Sequence, residues 1–306
     1  MSAAHTAAVC GIVLLDKPAG LSSNAALQRV RHLFGARKAG HTGNLDPLAS
    51  GMLPICLGEA TKIAGELLDA RKQYLFTVHL GERTVSGDAE HEVIERRPVP
   101  ALDVPAIEAV LRRFEGDLHQ VPPMHSALKH EGERLYRLAR RGIEVEREPR
   151  AIRIDEITLD AWAEPRLTLR ATCSKGTYVR VLAEEVAAAL GTCGYVVELR
   201  RLWTAPFEDG AMISLEALDA ATPQERERWL LPIDHPLQSW PRIDLPADAA
   251  RRICHGQPLD LDPPQARPDG DSVSVRLYGP GSRFLGLGIL DEGRWLRPKR
   301  LMELGL

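Results

Sequence analysis

Cysteine is scarce in this chain and widely dispersed: the five residues, at positions 10, 56, 173, 193 and 254, are never closer than twenty positions apart. That spacing offers neither a zinc-ligand pair nor a disulfide framework, and the odd count points to a reducing, cytoplasmic setting. No run of eighteen apolar residues occurs, which excludes a helical membrane span. No basic stretch precedes the short Ile12–Leu15 run, so no secretory signal is expected. Internal repeats, a Walker-type loop and a dinucleotide glycine fingerprint are all missing. His119, His125 and His130 are spaced like no familiar ligand set, so no metal and no organic cofactor is expected. Acidic residues are absent between Lys17 and Leu45, a stretch that carries Lys17, Arg29, Arg31, Arg37 and Lys38.

What is present describes a globular protein. The chain has 306 residues, 44% hydrophobic and 26% charged, enough for one large core and a small satellite domain. Its net charge is only −3, but the distribution is uneven. Residues 17–45 carry +5, residues 134–153 hold seven Arg against three Glu, and residues 276–300 hold six basic side chains against two acidic ones. Acids gather elsewhere, with 244–271 at net −3. Basic stripes arranged in this way suit a phosphate backbone.

Periodicity supplies the elements. Apolar positions 27, 30, 33 and 34 predict a helix over 24–34, capped by Ser22 or Ser23 and stopped at Gly35. Tyr74 to Leu80 alternates as a strand, and so does Leu167 to Cys173. A helix is predicted over 104–115 from Ile107, Val110, Leu111 and Phe114, with Pro105 in its first turn. A turn at Lys175-Gly176 leads into a further helix over about 179–190. Without regular βαβ spacing, the fold class is α+β: a mixed, mainly antiparallel sheet with packed helices. The Pro-rich passage 232–246 reads as a linker, and SVSVRLY (272–278) and FLGLGIL (284–290) read as strands of a small β-rich module.

The chemistry concentrates in residues 40–54, GHTGNLDPLASGMLP. Pro47 disfavours helical backbone at Asp46, and glycines on either side permit tight turns and close approach of a ligand. A carboxylate with only cations in the preceding stretch should stay ionised, and those cations would attract a polyanion.

This string resembles the catalytic motif of the bacterial tRNA pseudouridine-55 synthases, the TruB family. The resemblance continues in the family's order through GIVLLDKPAGLSS (11–23), KQYLFTVHLGERTVSGD (72–88), PPMHSALKHEGERLYRLARRGIEV (122–145), CSKGTYVRVLAEEV (173–186) and ELRRL (198–202). It implies a pseudouridine synthase fold over 1–235, with an RNA-facing insertion at 122–153. It also implies a linker at 236–246 and a PUA-like RNA-binding domain over 247–306.

The resemblance assigns Asp46 as nucleophile, Arg180 as its ion-pair partner, holding its pKa down, and Tyr74 as the ring that stacks on uracil, a catalytic residue whose hydroxyl would take part in proton removal at C5. Tyr178 and Leu199 would wall the base pocket. His41 would fill the space that the flipped nucleotide vacates. Lys17 would buttress the catalytic loop beside the substrate, Lys62 would contact phosphate, and Asp88 occupies a polar position of the second block. If the stretch around 178–180 is extended, Tyr178 and Arg180 point the same way. Val85, His91 and His125 depart from the family pattern, where Asp, Gly and Tyr are usual. Attack on the sugar and attack on the base both remain open. The implied enzyme is a monomeric isomerase that acts on the T-arm of tRNA, with no membrane, obligatory protein partner or guide RNA. A tRNA-folding chaperone role stands beside catalysis, and a guide-RNA-dependent relative is the other alternative.

Overall fold

The computed structural model describes residues 9–261 and 272–303. Residues 262–271, which hold part of the acid-rich stretch, and the last three residues of the expected C-terminal module lie outside the described residues.

A nine-stranded sheet organises the larger part of the chain. Its strands are β1 (Gly11–Lys17), β2 (Ala39–His41), β3 (Ser50–Leu57), β4 (Lys72–Leu80), β5 (Gly116–Gln120), β6 (Arg150–Ala163), β7 (Arg166–Cys173), β8 (Gly194–Thr204) and β9 (Ile213–Ser214). They lie in the order β9-β1-β3-β8-β4-β7-β6-β5, with β2 paired to β3. Only the β1–β9 and β3–β8 pairs are parallel. The mixed, mainly antiparallel sheet read from the sequence is therefore present.

Helices cover one face. α1 (Ser23–Leu33) starts at Ser22, whose side chain accepts from the Ala25 amide, and α2 (Val104–Leu111) starts at Asp103 in the same manner. The short α3 (Leu135–Arg140) belongs to the insertion, and α4 (Val179–Ala189) follows the Lys175-Gly176 turn. The predicted 104–115 helix ends earlier as α-helix and finishes as a 3₁₀ turn over Arg112–Phe114. Ala26 and Val30 of α1 and Leu182, Ala183 and Val186 of α4 pack with Val13, Leu15, Leu53, Ile55, Phe76 and Val78 in one core.

The alternate residues of the same strands face the other way. Ile12, Leu14, Met52 and Cys56 pack against Tyr278, Phe284 and Leu287 of the C-terminal domain. Burial on both faces explains why β1 and β3 read as unbroken apolar runs rather than alternating ones. The C-terminal sheet has strands β10 (Arg242–Asp244), β11 (Leu259–Asp260), β12 (Ser272–Gly279), β13 (Arg283–Asp291) and β14 (Trp295–Leu301), ordered β10-β12-β13-β14-β11, with helix α5 over Ala247–Cys254. The linker reading of 236–246 needs correction. Arg242–Asp244 is an edge strand that pairs in parallel with Arg276–Tyr278, so the C-terminal domain begins before residue 247. Its single row of ladder bonds tolerates the flanking prolines.

Candidate active site

Asp46 sits on the segment between β2 and β3, and this segment is pinned on three sides. From α1, the Ser23 hydroxyl accepts from the Leu45 amide at 2.7 Å and donates to the Leu45 carbonyl at 2.9 Å. From β1, Lys17 Nζ donates to the Pro18 and Leu21 carbonyls at 2.8 and 2.7 Å and reaches the Pro47 carbonyl at 3.4 Å. The Gly20 amide also donates to Pro47. From β8, the buried Arg201 guanidinium donates to the carbonyls of Met52 at 2.7 Å, Gly43 at 3.2 Å and Asn44 at 3.5 Å. A loop whose carbonyls are satisfied by buried cations presents its acidic side chain in a fixed place.

That side chain meets Arg180. Arg180 Nε lies 2.9 Å from Asp46 Oδ2, with the arginine side chain 5% and the aspartate 31% exposed. The remaining nitrogens are also committed: Nη1 to the Ser86 carbonyl at 2.9 Å, with Asp88 Oδ2 at 3.4 Å, and Nη2 to the His125 carbonyl at 2.8 Å. Asp88 is itself fixed by the Ser86 hydroxyl at 2.5 Å and the Glu90 amide at 3.1 Å. Burial has the largest influence on the Asp46 carboxyl. It lifts the pKa above the ordinary 3.8, Arg180 opposes the rise, and Asp88 adds to it. The expectation that Arg180 would hold this pKa down is thus reversed in the net, because an aspartate in so closed a setting loses more hydration than one guanidinium returns.

A cavity of about 250 Å³ opens beside the carboxylate, and Asp46, Tyr74, Tyr178, Arg180 and Leu199 all contribute to its wall. Tyr74 enters from β4 and is buried; Leu199 enters from β8, two strand positions before Arg201. Tyr178 is the N-cap of α4 with extended backbone, while Arg180 is already helical. The stretch is not extended throughout, and the two side chains reach the cavity from a helix start instead. Burial pushes the Tyr74 and Tyr178 hydroxyls up, so both rings stay neutral.

Four expected residues lie outside the cavity wall. Lys17 is fully buried and holds the loop from beneath, so it serves as buttress and not as a substrate contact. Asp88 is 2% exposed and acts on Arg180. His41 lies on β2, its Nδ1 buried without a hydrogen-bond partner and its pKa lowered chiefly by burial. Lys62 needs the largest correction: Nζ lies 2.7 Å from Glu59 and 3.2 Å from Glu303 and donates to the Leu301 carbonyl at 2.8 Å. It ties the C-terminal strand to the catalytic domain.

Two cationic wall residues escaped the sequence reading. Arg201 had a readable signal, since it shares a strand face with Leu199 at a spacing of two. Lys72, two positions before Tyr74 on β4, also lines the cavity, and burial beside Arg201 lowers it to about 8.

Comparisons with known proteins agree along the chain. Residues 31–179 match the family model "TruB family pseudouridylate synthase (N terminal domain)". Residues 180–238 match "tRNA pseudouridylate synthase B C-terminal domain", and residues 241–302 match "Pseudouridine synthase II TruB, C-terminal". A tRNA pseudouridine synthase B of Burkholderia mallei is 49% identical over 97% of this chain and 98% of its own length. One from Nitrosococcus oceani is 48% identical over 95% and 94%. Among solved structures, a Cbf5-Nop10-Gar1 complex aligns with a TM-score of 0.71 over 96% of this chain and 85% of its own, at 22% identity, which speaks for the fold alone.

Proposed function

The chain belongs to the TruB family, and from that premise we propose that the cavity beside Asp46 receives uridine-55 of the tRNA T-loop and isomerises it to pseudouridine. It is an isomerase that acts on tRNA. The observation that carries the reading is the ion pair of Asp46 Oδ2 and Arg180 Nε at 2.9 Å, in the wall of a cavity that two tyrosine rings share.

The reaction breaks the N1–C1′ bond, turns the uracil and rejoins it through C5, whose proton is lost as N1 regains one. A base inside a folded RNA has to leave its stack to reach such a cavity. Asp46 is the nucleophile, ionised and able to leave again, whether it adds to the sugar or to the base. Arg180 orients it. Tyr74 and Tyr178 offer apolar faces for stacking, worth about 1–3 kcal/mol per base, and Leu199 completes the enclosure. The exposed Arg31, Arg37 and Lys38 and the basic stretch over 134–153 track the tRNA backbone. The C-terminal β-rich domain contributes RNA contacts of the PUA kind. The protein acts as a monomer in the cytoplasm on free tRNA, without guide RNA or partner protein.

Purified protein and unmodified tRNA transcript provide the test, with pseudouridine mapped at nucleotide resolution. Signal at the T-loop is expected, and its absence overturns the substrate assignment. Asp46→Asn should abolish turnover while tRNA affinity stays within about an order of magnitude, because the phosphate contacts that dominate binding lie elsewhere. Pseudouridine formed by that variant would refute the assigned nucleophile.

A further inference from the structure

Three segments of the chain converge on Arg180: the Asp46 loop, the loop with Ser86 and Asp88, and the insertion through the His125 carbonyl. A further contact joins the last two without the arginine. The imidazoles of His125 and His91 lie with ring centroids 4.7 Å apart and planes inclined at 55°, and His91 Nδ1 is 4.0 Å from Asp88 Oδ1. The residues after His125 form part of the cavity wall, namely Ser126 and Ala127. They move with the insertion, because the Tyr136 amide donates to the Ser126 carbonyl and the Leu135 amide to the Leu128 carbonyl.

We propose that His125 is a positioning residue for the isomerisation, and that its ring contact with His91 is a titratable latch holding the insertion against the cavity and the His125 carbonyl on Arg180. The proposal rests on the cavity being the site of isomerisation. The charged groups around the pair are Asp88 and Glu90 on the acidic side and Arg180 and Arg140 on the basic side. For His125 the balance disfavours a proton: burial first, then His91 and Arg180, hold its pKa below the ordinary 6.5, with Asp88 opposing.

The neutral ring therefore packs on His91 at neutral pH. Once His125 takes a proton, its imidazolium stands beside the Arg180 and Arg140 guanidinium groups, and like charges at that range repel. The contact opens, the His125 carbonyl withdraws, and Arg180 loses one of its anchors. Asp46 then keeps its charge but loses its fixed partner. The loss of an oriented Asp46 is read in the rate at saturating tRNA, because the insertion also carries the basic stretch 134–153 and its release reaches affinity as well.

The experiment compares single-turnover pseudouridine formation and tRNA affinity for the wild type, His125→Phe and His91→Phe from about pH 7.5 to about 5.5, across the histidine range. Each profile is referred to its own plateau. Either phenylalanine keeps an aromatic ring in place, and the one at position 125 removes the group that takes the proton. The wild-type rate at saturating tRNA should fall by about fivefold or more over this range, His125→Phe should fall less, and His91→Phe, which keeps the His125 ring and its proton, should follow the wild type. Any acid limb from Asp46 itself is shared by all three proteins and cancels in the comparison. Hydrogen exchange of residues 124–128 should rise on acidification in the wild type and not in His125→Phe. Superimposable profiles of the wild type and His125→Phe overturn the latch, as does unchanged exchange, even if wild-type pseudouridine formation at pH 7.5 upholds the site.

Discussion

Asp46 depends on neighbours that carry no chemistry of their own. The Ser23 hydroxyl is the clearest, because it serves both the amide and the carbonyl of Leu45 from a buried position. Ser23→Ala leaves that peptide without these partners, which should lower stability by about 1–3 kcal/mol. As Leu45 adjoins Asp46, kcat should fall while tRNA affinity holds. Urea unfolding and single-turnover rates check both, and a variant with wild-type kcat would mean that the loop needs no anchor on α1. At this scale the sequence displayed five residues of the cavity wall: Asp46, Tyr74, Tyr178, Arg180 and Leu199 stand in strings that survive reading in one dimension. It hid the residues that hold them. Arg201 meets Gly43 across 158 positions, and Arg180 meets Ser86 across 94. Only the folded sheet creates such pairs. The sign of the Asp46 pKa shift was hidden for the same reason, since burial is a property of the assembled site.

Among elements, legibility followed periodicity. α1, α4, β4 and β7 show clean periods of 3.6 or 2 and lie within a residue or two of where the pattern predicts them. β6 went unread although it is 14 residues long, because irregularities between Ile154 and Glu156 and between Leu159 and Ala161 break its alternation. β10 is three residues within a proline-rich passage, too short to carry any period. One junction between elements is demanding enough to test. Gly51 pairs with Lys17 on one side and Arg201 on the other, at φ +98°, and a Cβ there would stand 2.1 Å from the Arg201 carbonyl oxygen. Gly51→Ala must push β8 away from β3 and drag Arg201 off the Asp46 loop. A loss of about 3 kcal/mol or more is expected from backbone strain combined with a clash. Gly65→Ala is the control, since its Cβ meets nothing within 4 Å. If denaturant midpoints of the two variants match, the close approach of β3 and β8 is not as described.

For the whole molecule, the buried cations that fix the loop have a cost that pH reveals. Lys17 and Lys72 are both held near 8 instead of the ordinary 10.5, in each case chiefly by burial. Between those values the unfolded chain binds protons that the folded one has shed, so unfolding free energy rises with pH, by up to about 1.4 kcal/mol per pH unit for each fully titrating lysine. The cysteines act in the opposite sense. Cys56 is pushed up to about 12 and Cys173 to about 11 from 9.0, so above pH 9 the folded chain keeps protons that the unfolded one loses, and stability falls. The raised pKa values of Tyr74 and Tyr178 extend that fall beyond 10. Two rising and two falling slopes nearly cancel between about 9 and about 10, so stability levels off there, well above neutrality, before the tyrosines bring it down. Urea unfolding from about pH 7.5 to about 10.5 should show the rise from about 8. Lys72→Met should halve it, because a thioether cannot titrate while Lys17 still does, and Cys56→Ala should prolong the rise beyond 9. A curve that is flat or falling between about 8 and 9, or a rise that Lys72→Met leaves intact, would show that these lysines keep their protons in the folded state and that the loop is not held by partly dehydrated cations.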